Sequence, residues 1–209
     1  MDGQDSKKGV MLSQIRQYGI ADERVLAAIS GVDREKFVPG EYEHLAYEDR
    51  PLPIGYGQTI SQPYTVVRMC ELLIERLETS VQRLDRVLEI GTGCGYQTAI
   101  LAKLFGKVYS VEVIPELSRV ANKNLIELGI SNYELRVGDG KKGWKKYASY
   151  DRIIVTANAE KIPLALVEQL KVGGRMVIPV KGVMTRVTKQ QSDKVTEEKL
   201  GQFSFVPLV

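Results

Sequence analysis

From Leu52 onward, short apolar runs alternate with segments whose apolar residues recur at helical spacing. The runs predict strands at Arg86–Ile90, Lys107–Val113, Glu134–Val137, Arg152–Thr156 and Arg175–Val180. Arg152-Ile-Ile-Val and Met176-Val-Ile are continuous aliphatic runs, the pattern of parallel strands buried on both faces. Helical spacing predicts helices between them at Cys94–Phe105, Pro115–Leu128 and Ile162–Leu170. Pro115 suits a first helical turn, where its missing N–H costs nothing, and Gly129 suits a helix end. Gly173-Gly174 reads as the break between the last of these helices and the next strand. Strand and helix alternating in this way predict stacked βαβ units, hence a mostly parallel, doubly wound α/β sheet with helices on both faces.

Two regions stand outside that alternation. Before it, Leu12–Tyr18 and Asp22–Ser30 read as short helices, followed by Phe37-Val38-Pro39. A Pro/Gly-rich stretch from Asp49 to Tyr64 then leads into a helix over Gln62–Leu77, on which Val66, Cys70, Leu73 and Leu77 form one apolar stripe. At the far end, Val183–Lys189 and Lys194–Val206 alternate as a closing antiparallel pair. No internal repeat is present. The expected organisation is one domain over residues 1–209: an N-terminal helical extension with the Pro/Gly-rich segment (1–60), a ligand-binding core (61–180) and closing antiparallel strands (181–209).

Composition narrows the class. A chain of 209 residues buries roughly 70% of its unfolded surface and needs no staples to hold a core. Cys70 and Cys94 fit neither a CxxC pair nor a zinc knuckle, and two cysteines are too few for a secreted disulfide framework. No apolar run follows the polar stretch Met1–Gly9, so no signal peptide is expected, and no segment approaches the roughly 20 apolar residues of a membrane span. The expectation is a cytosolic protein without a membrane partner. The net charge is +3, and the densest basic cluster, Lys141, Lys142, Lys145 and Lys146, reads as a solvated face rather than a nucleic-acid surface.

The chemistry begins at Val87-Leu-Glu-Ile-Gly-Thr-Gly-Cys-Gly-Tyr96, a strand entering glycines and then a helix. Glycines let a backbone approach a ligand closely, and a helix start presents free N–H groups. A dinucleotide fingerprint, GxGxxG, would need glycine at position 96, where Tyr96 stands; the third glycine is Gly95. The pattern is instead E-x-G-x-G-x-G through Glu89, Gly91, Gly93 and Gly95. Glu112 ends the second strand, where a carboxylate accepts from both hydroxyls of a ribose. Glu89 would be repelled by a pyrophosphate and attracted by a cationic amine. Asp139, in Gly138-Asp-Gly140, stands where a side chain reaches an adenine amino group. Three acids about one nucleoside suit S-adenosylmethionine, with its sulfonium and ammonium, and suit a diphosphate poorly.

These residues carry a family likeness. The glycine loop resembles motif I of Rossmann-like class I methyltransferases, and the chain resembles the protein-L-isoaspartate (D-aspartate) O-methyltransferases along nearly its whole length. The most specific stretch is Asp49-Arg-Pro-Leu-Pro-Ile-Gly-Tyr-Gly-Gln-Thr-Ile-Ser-Gln-Pro63, similar to the family's active-site segment. Tyr18–Val25, Asp33–Pro39, Tyr150–Ala157, Gly173–Val180 and Phe205–Val209 match in order and spacing. Cys94 and Asn158 depart from the family pattern, in which serine and alanine are common there.

The resemblance implies a fold whose last two strands are rearranged relative to other methyltransferases. It implies isoaspartyl and D-aspartyl residues of damaged proteins and peptides as acceptors, the α-carboxyl methyl ester as product, and repair through a succinimide. It implies Gln58, Thr59, Ile60 and Ser61 as wall to donor and acceptor, with Ser61 as catalytic serine, and Gly91, Gly93, Gly95, Tyr96 and Gly140 beside the acids in the donor site. No metal is expected, and the chain is expected to act as a monomer without nucleic acid.

A carboxylate acceptor of pKa about 3.5–4 is ionised at neutral pH, so no base is needed to activate it. His44, the sole histidine, accordingly reads as structural or surface. Ser61 is equally well placed as cap of the following helix or as a hydroxyl orienting the acceptor; the resemblance favours the second.

Overall fold

The computed structural model describes residues 3–75, 86–191 and 194–209. Nine strands and six helices can be named among them. Helices α1 (Gly3–Gln17) and α2 (Glu23–Ser30) lead to the hairpin β1 (Leu52–Gly55) and β2 (Gln58–Ile60), then α3 (Pro63–Ile74). The core follows as β3 (Arg86–Ile90), α4 (Tyr96–Leu104), β4 (Lys107–Glu112), α5 (Pro115–Glu127), β5 (Tyr133–Val137), β6 (Tyr150–Val155), α6 (Leu164–Glu168) and β7 (Leu170–Val180). Strands β8 (Val183–Lys189) and β9 (Val195–Gln202) close it.

The main sheet has seven strands in the order β5-β4-β3-β6-β7-β8-β9. Strands β3 to β7 pair in parallel, and β8 and β9 run antiparallel. Alternate residues of each strand point to opposite faces, so Val87, Val108, Ile154 and Val177 join the cluster that holds α1 to α4. Leu88, Tyr109, Ile153 and Met176 join a second cluster under α6 and the loop carrying Trp144 and Tyr147. Both faces are therefore covered, as continuous aliphatic runs require. Moving outward from β3, the chain goes first to β4 and β5, then returns to place β6 on the other side. That reversal opens a crevice at the carboxyl ends of β3, β4 and β6.

The differences from the sequence reading have physical causes. Helix α1 starts at Gly3, through a polar stretch with no apolar period, and buries Met11 and Ile15. The Pro/Gly-rich segment forms the β1–β2 hairpin, its turn made by Tyr56 and Gly57 with φ of 55° and 69°. Gly173-Gly174 is no break: both glycines lie inside β7, and a Cβ at Gly174 would stand 3.1 Å from the Asp151 carbonyl. Helix α6 is shorter than expected, and the ammonium of Lys189 binds the Val167, Glu168 and Leu170 carbonyls at its end. Leu77, the last member of the expected stripe on α3, lies outside the described residues.

Candidate active site

The crevice is a cavity of about 190 Å³. Its floor is the loop after β3, where Gly91, Gly93 and Gly95 all hold positive φ. At Gly91 (φ 95°) a Cβ would strike the Thr156 hydroxyl, which itself donates to the Ile90 and Gly91 carbonyls at 3.0 and 2.9 Å. Glycine is thus required both by the left-handed backbone and by the approach of the β6 end. At Gly95 a Cβ would stand 3.2 Å from that of Ala121, so this glycine packs α4 on α5.

Glu112, 5% exposed, lines the cavity from the end of β4. Its carboxylate accepts from the Gly93 N–H at 2.8 Å and from the Ile114 N–H at 3.0 Å. Opposite stand Gln58, Thr59, Ile60 and Ser61 from β2 and its exit. Tyr96 and Gly140 complete the expected lining, together with Thr92, Cys94 and the chain end Val206–Val209. Burial pushes the Cys94 thiol up to about 11, which keeps it neutral at pH 7.

Glu89, Gly95 and Asp139 do not line the cavity. Glu89 lies fully buried behind the glycine loop, where one oxygen accepts from Thr98 Oγ1 at 2.5 Å and Ser110 Oγ at 2.7 Å. Ser110 is in turn 2.6 Å from the hydroxyl of Thr92 in the cavity wall. Since Ser110 spends its proton on Glu89, Thr92 donates to Ser110, and the acid meets the cavity through two hydroxyls. Its other oxygen, Oε1, has no partner among the described residues, and burial pushes the carboxyl up to about 8. Asp139 caps the turn holding Gly140, accepting from the Lys141 N–H at 2.9 Å.

Ser61 is not the cap of α3. That position falls on Gln62, which makes no side-chain cap bond; Asp49 reaches over from before the hairpin and accepts from the Tyr64 N–H at 2.8 Å. Ser61 instead lies between two cavities. The second is lined by Pro51, Gln62, Tyr64, Leu200, Phe203 and Phe205 among others, and shares Thr59, Ser61, Thr156 and Val206 with the first. Thr156, the Asp49 cap and the second cavity went unread in the sequence. His44 is exposed and offers its carbonyl to Lys7 Nζ at 3.4 Å.

A glycine backbone under the cavity, an acid at the next strand end and the apolar Ile90, Val111 and Leu117 fit a nucleoside with a charged side arm. Together with the sheet order, this is the arrangement of a Rossmann-like class I methyltransferase. A precorrin-6y C5,15-methyltransferase from Geobacter metallireducens shares the fold at a TM-score of 0.52 and 17% identity, over 71% of this chain and 69% of that one. A narrower likeness covers the whole chain. The sequence model of the protein-L-isoaspartate (D-aspartate) O-methyltransferases matches residues 6–209. The protein-L-isoaspartate O-methyltransferase of Dictyoglomus thermophilum is 49% identical over 98% of this chain and 91% of its own length. A crystal structure described as a putative protein-L-isoaspartate O-methyltransferase from Plasmodium falciparum, in complex with S-adenosyl-L-homocysteine, superposes at a TM-score of 0.83 with 25% identity, over 100% of this chain and 99% of that one. The chain belongs to the protein-L-isoaspartate (D-aspartate) O-methyltransferase family.

Among the described residues no helix is long and apolar enough to cross a membrane, and no group of three or more His, Cys, Asp or Glu side chains is placed to hold a metal ion.

Proposed function

We propose that the two cavities hold the two partners of one methyl transfer, with Ser61 in the wall between them. The enzyme methylates the α-carboxylate of L-isoaspartyl and D-aspartyl residues in damaged proteins and peptides, using S-adenosylmethionine, and the ester starts repair through a succinimide. The observation that carries the division of labour is the shared lining of Thr59, Ser61, Thr156 and Val206.

When bound, S-adenosylmethionine supplies a methyl group on a cationic sulfonium. On the donor side, Glu112 accepts from the ribose hydroxyls while its hold on the Gly93 N–H keeps the loop in place. Gly91 and Gly93 give the backbone its close approach, and Gln58, Thr59, Ile60 and Tyr96 form the opposite wall. Gly95 serves by packing α4 against α5, and Asp139 by capping the turn that puts Gly140 in the wall. Glu89 acts from behind, through Ser110 and Thr92.

On the acceptor side the carboxylate arrives already ionised, so the chain supplies orientation rather than a base. The Ser61 hydroxyl donates to that carboxylate and fixes its angle toward the donor cavity. Alignment of this kind is worth roughly 7–11 kcal/mol in favourable cases. That one chain lines both cavities supports reading a monomer as the working unit, and we extend the proposal to a reaction without nucleic acid in the cytosol.

The test is transfer of a tritiated methyl group to an isoaspartyl peptide beside its aspartyl twin. Label on the first alone is expected; equal label on both, or on neither, refutes the acceptor.

A further inference from the structure

We propose that Arg34 is a positioning residue of the transfer: its buried guanidinium grips the Ser61 carbonyl and sets the serine against the donor cavity. The inference rests on the placement of Ser61 between the two cavities.

Arg34 lies in a short helical turn, Arg34–Phe37, far in sequence from either cavity, and is fully buried. Its guanidinium donates to three backbone carbonyls: Ala46, Arg50 at 3.1 Å and Ser61 at 3.0 Å. These mark the start of the segment before the hairpin, its end two residues ahead of β1, and the residue where β2 gives way to α3. One rigid planar group thus fixes both ends of the segment that carries Gln58 to Ser61. A second tie fixes the next residues from the other side, since Asp49 accepts from Gln62 Nε2 and the Tyr64 N–H, each at 2.8 Å.

The same guanidinium reaches the donor side. Its central carbon is 5.8 Å from the ring centroid of Tyr96, which lines the donor cavity at the start of α4. Phe37, in the same turn as Arg34, meets that ring edge-on at 5.4 Å. Arg34 is therefore a side chain in contact with both the serine of the acceptor wall and the aromatic of the donor wall.

Burying a guanidinium on neutral carbonyls is a poor way to gain stability. Replacing both members of a buried ion pair by apolar residues is often neutral or stabilising. Here, however, the partners are backbone carbonyls, and an apolar side chain would leave all three without this donor. Asp49, the carboxylate whose charge reaches Arg34, spends its oxygens on Gln62 and Tyr64, and Arg34 Nε has no partner among the described residues. What the guanidinium supplies that an apolar residue does not is several fixed donors in one plane, directed at carbonyls up to 27 positions away from it in the sequence. That is a geometric service to the Ser61 peptide.

A double-mutant cycle on the full chain tests this, with Arg34→Lys, Ser61→Ala and the pair. Turnover of an isoaspartyl peptide and calorimetric binding of S-adenosylhomocysteine are measured well below each melting temperature. Arg34→Lys is expected to lower kcat at least about tenfold with the binding constant within about threefold, and to cost less than about twofold in the Ser61→Ala background, where no hydroxyl remains to be aimed. The same fold-loss in both backgrounds, a parallel loss of S-adenosylhomocysteine affinity, or unchanged kcat overturns the proposal. Normal turnover by Ser61→Ala alone refutes instead the role of the serine, and this proposal with it. If Arg34→Lys fails to fold, Arg34→Met, which buries no charge, enters the cycle under the same criteria.

Discussion

The backbone N–H of Gly93 donates to the Glu112 carboxylate at 2.8 Å, tying the loop after β3 to the end of β4. The same carboxylate accepts from Ile114 at 3.0 Å, so one acid braces two backbone turns while facing the donor cavity. On the proposed reading, Glu112→Ala removes the ribose acceptor and releases the loop together. Hydrogen bonds to a charged group are each worth about 1.5–3 kcal/mol, so the affinity for S-adenosylhomocysteine is expected to fall about tenfold to a hundredfold. Isothermal calorimetry reads this directly, and an unchanged affinity would remove Glu112 from the donor site.

Gly91 predicts a variant whose cost has two parts. Alanine there meets the Thr156 hydroxyl and must also hold φ at 95°. Left-handed backbone costs an ordinary residue roughly 1–2 kcal/mol, and the clash moves the floor of the cavity. Gly91→Ala is expected to lower the melting temperature and to weaken S-adenosylhomocysteine binding more than tenfold. Adding Thr156→Ala removes the clash but not the strain, so binding should recover in part while stability does not recover fully. Complete recovery of both would show that the backbone conformation carries no cost.

The parts legible in the sequence were those in which chain-local pattern and burial agree. β3 was read with its observed bounds because Val87, Leu88 and Ile90 are all buried and glycine stops the run. The hairpin was not read, because a left-handed Tyr56 is an uncommon turn residue and nothing around it alternates. Asp49 as the cap of α3 was out of reach, since the acid is 15 positions from the N–H it accepts. Arg34 stands among the charged neighbours Asp33, Glu35 and Lys36, and nothing in that run marks it as the one that is fully buried. Glu89 shows the limit on the site itself: composition asks for an acid near a cationic ligand, but only packing reveals that two hydroxyls stand between them.

Asn158 makes a bond that an alanine in its place would forgo. Its Oδ1 accepts from the Gly182 N–H at 2.8 Å, beside backbone bonds to Val206 and Leu208 that hold the chain end over the donor cavity. Those backbone bonds do not depend on the side chain. Asn158→Ala therefore loses about 1 kcal/mol, which for a chain of this size corresponds to about 2–4 °C in melting temperature. Turnover is expected to stay within about twofold. A large loss of S-adenosylhomocysteine affinity would show instead that the side chain itself governs how the chain end covers the cavity.

Glu89 gives the pH dependence of stability a definite sign. Burial holds its carboxyl at about 8 in the fold against an ordinary value of 4.5, despite the Thr98 and Ser110 hydroxyls, which favour ionisation. Below the ordinary value the group is protonated both folded and unfolded, and its contribution to stability is fully present. Between the two values the unfolded chain gives up the proton while the folded chain keeps it, so stability falls as pH rises, by up to about 1.4 kcal/mol per pH unit for one proton. Above the folded value both states are ionised and the loss levels off. Glu89→Gln keeps an oxygen for the two hydroxyls and removes the titration. Its melting temperature relative to the parent enzyme should therefore climb as pH rises from about 5 to about 8 and stay level beyond, as read by scanning calorimetry. A difference that stays constant across that range would mean the carboxylate is already ionised in the fold.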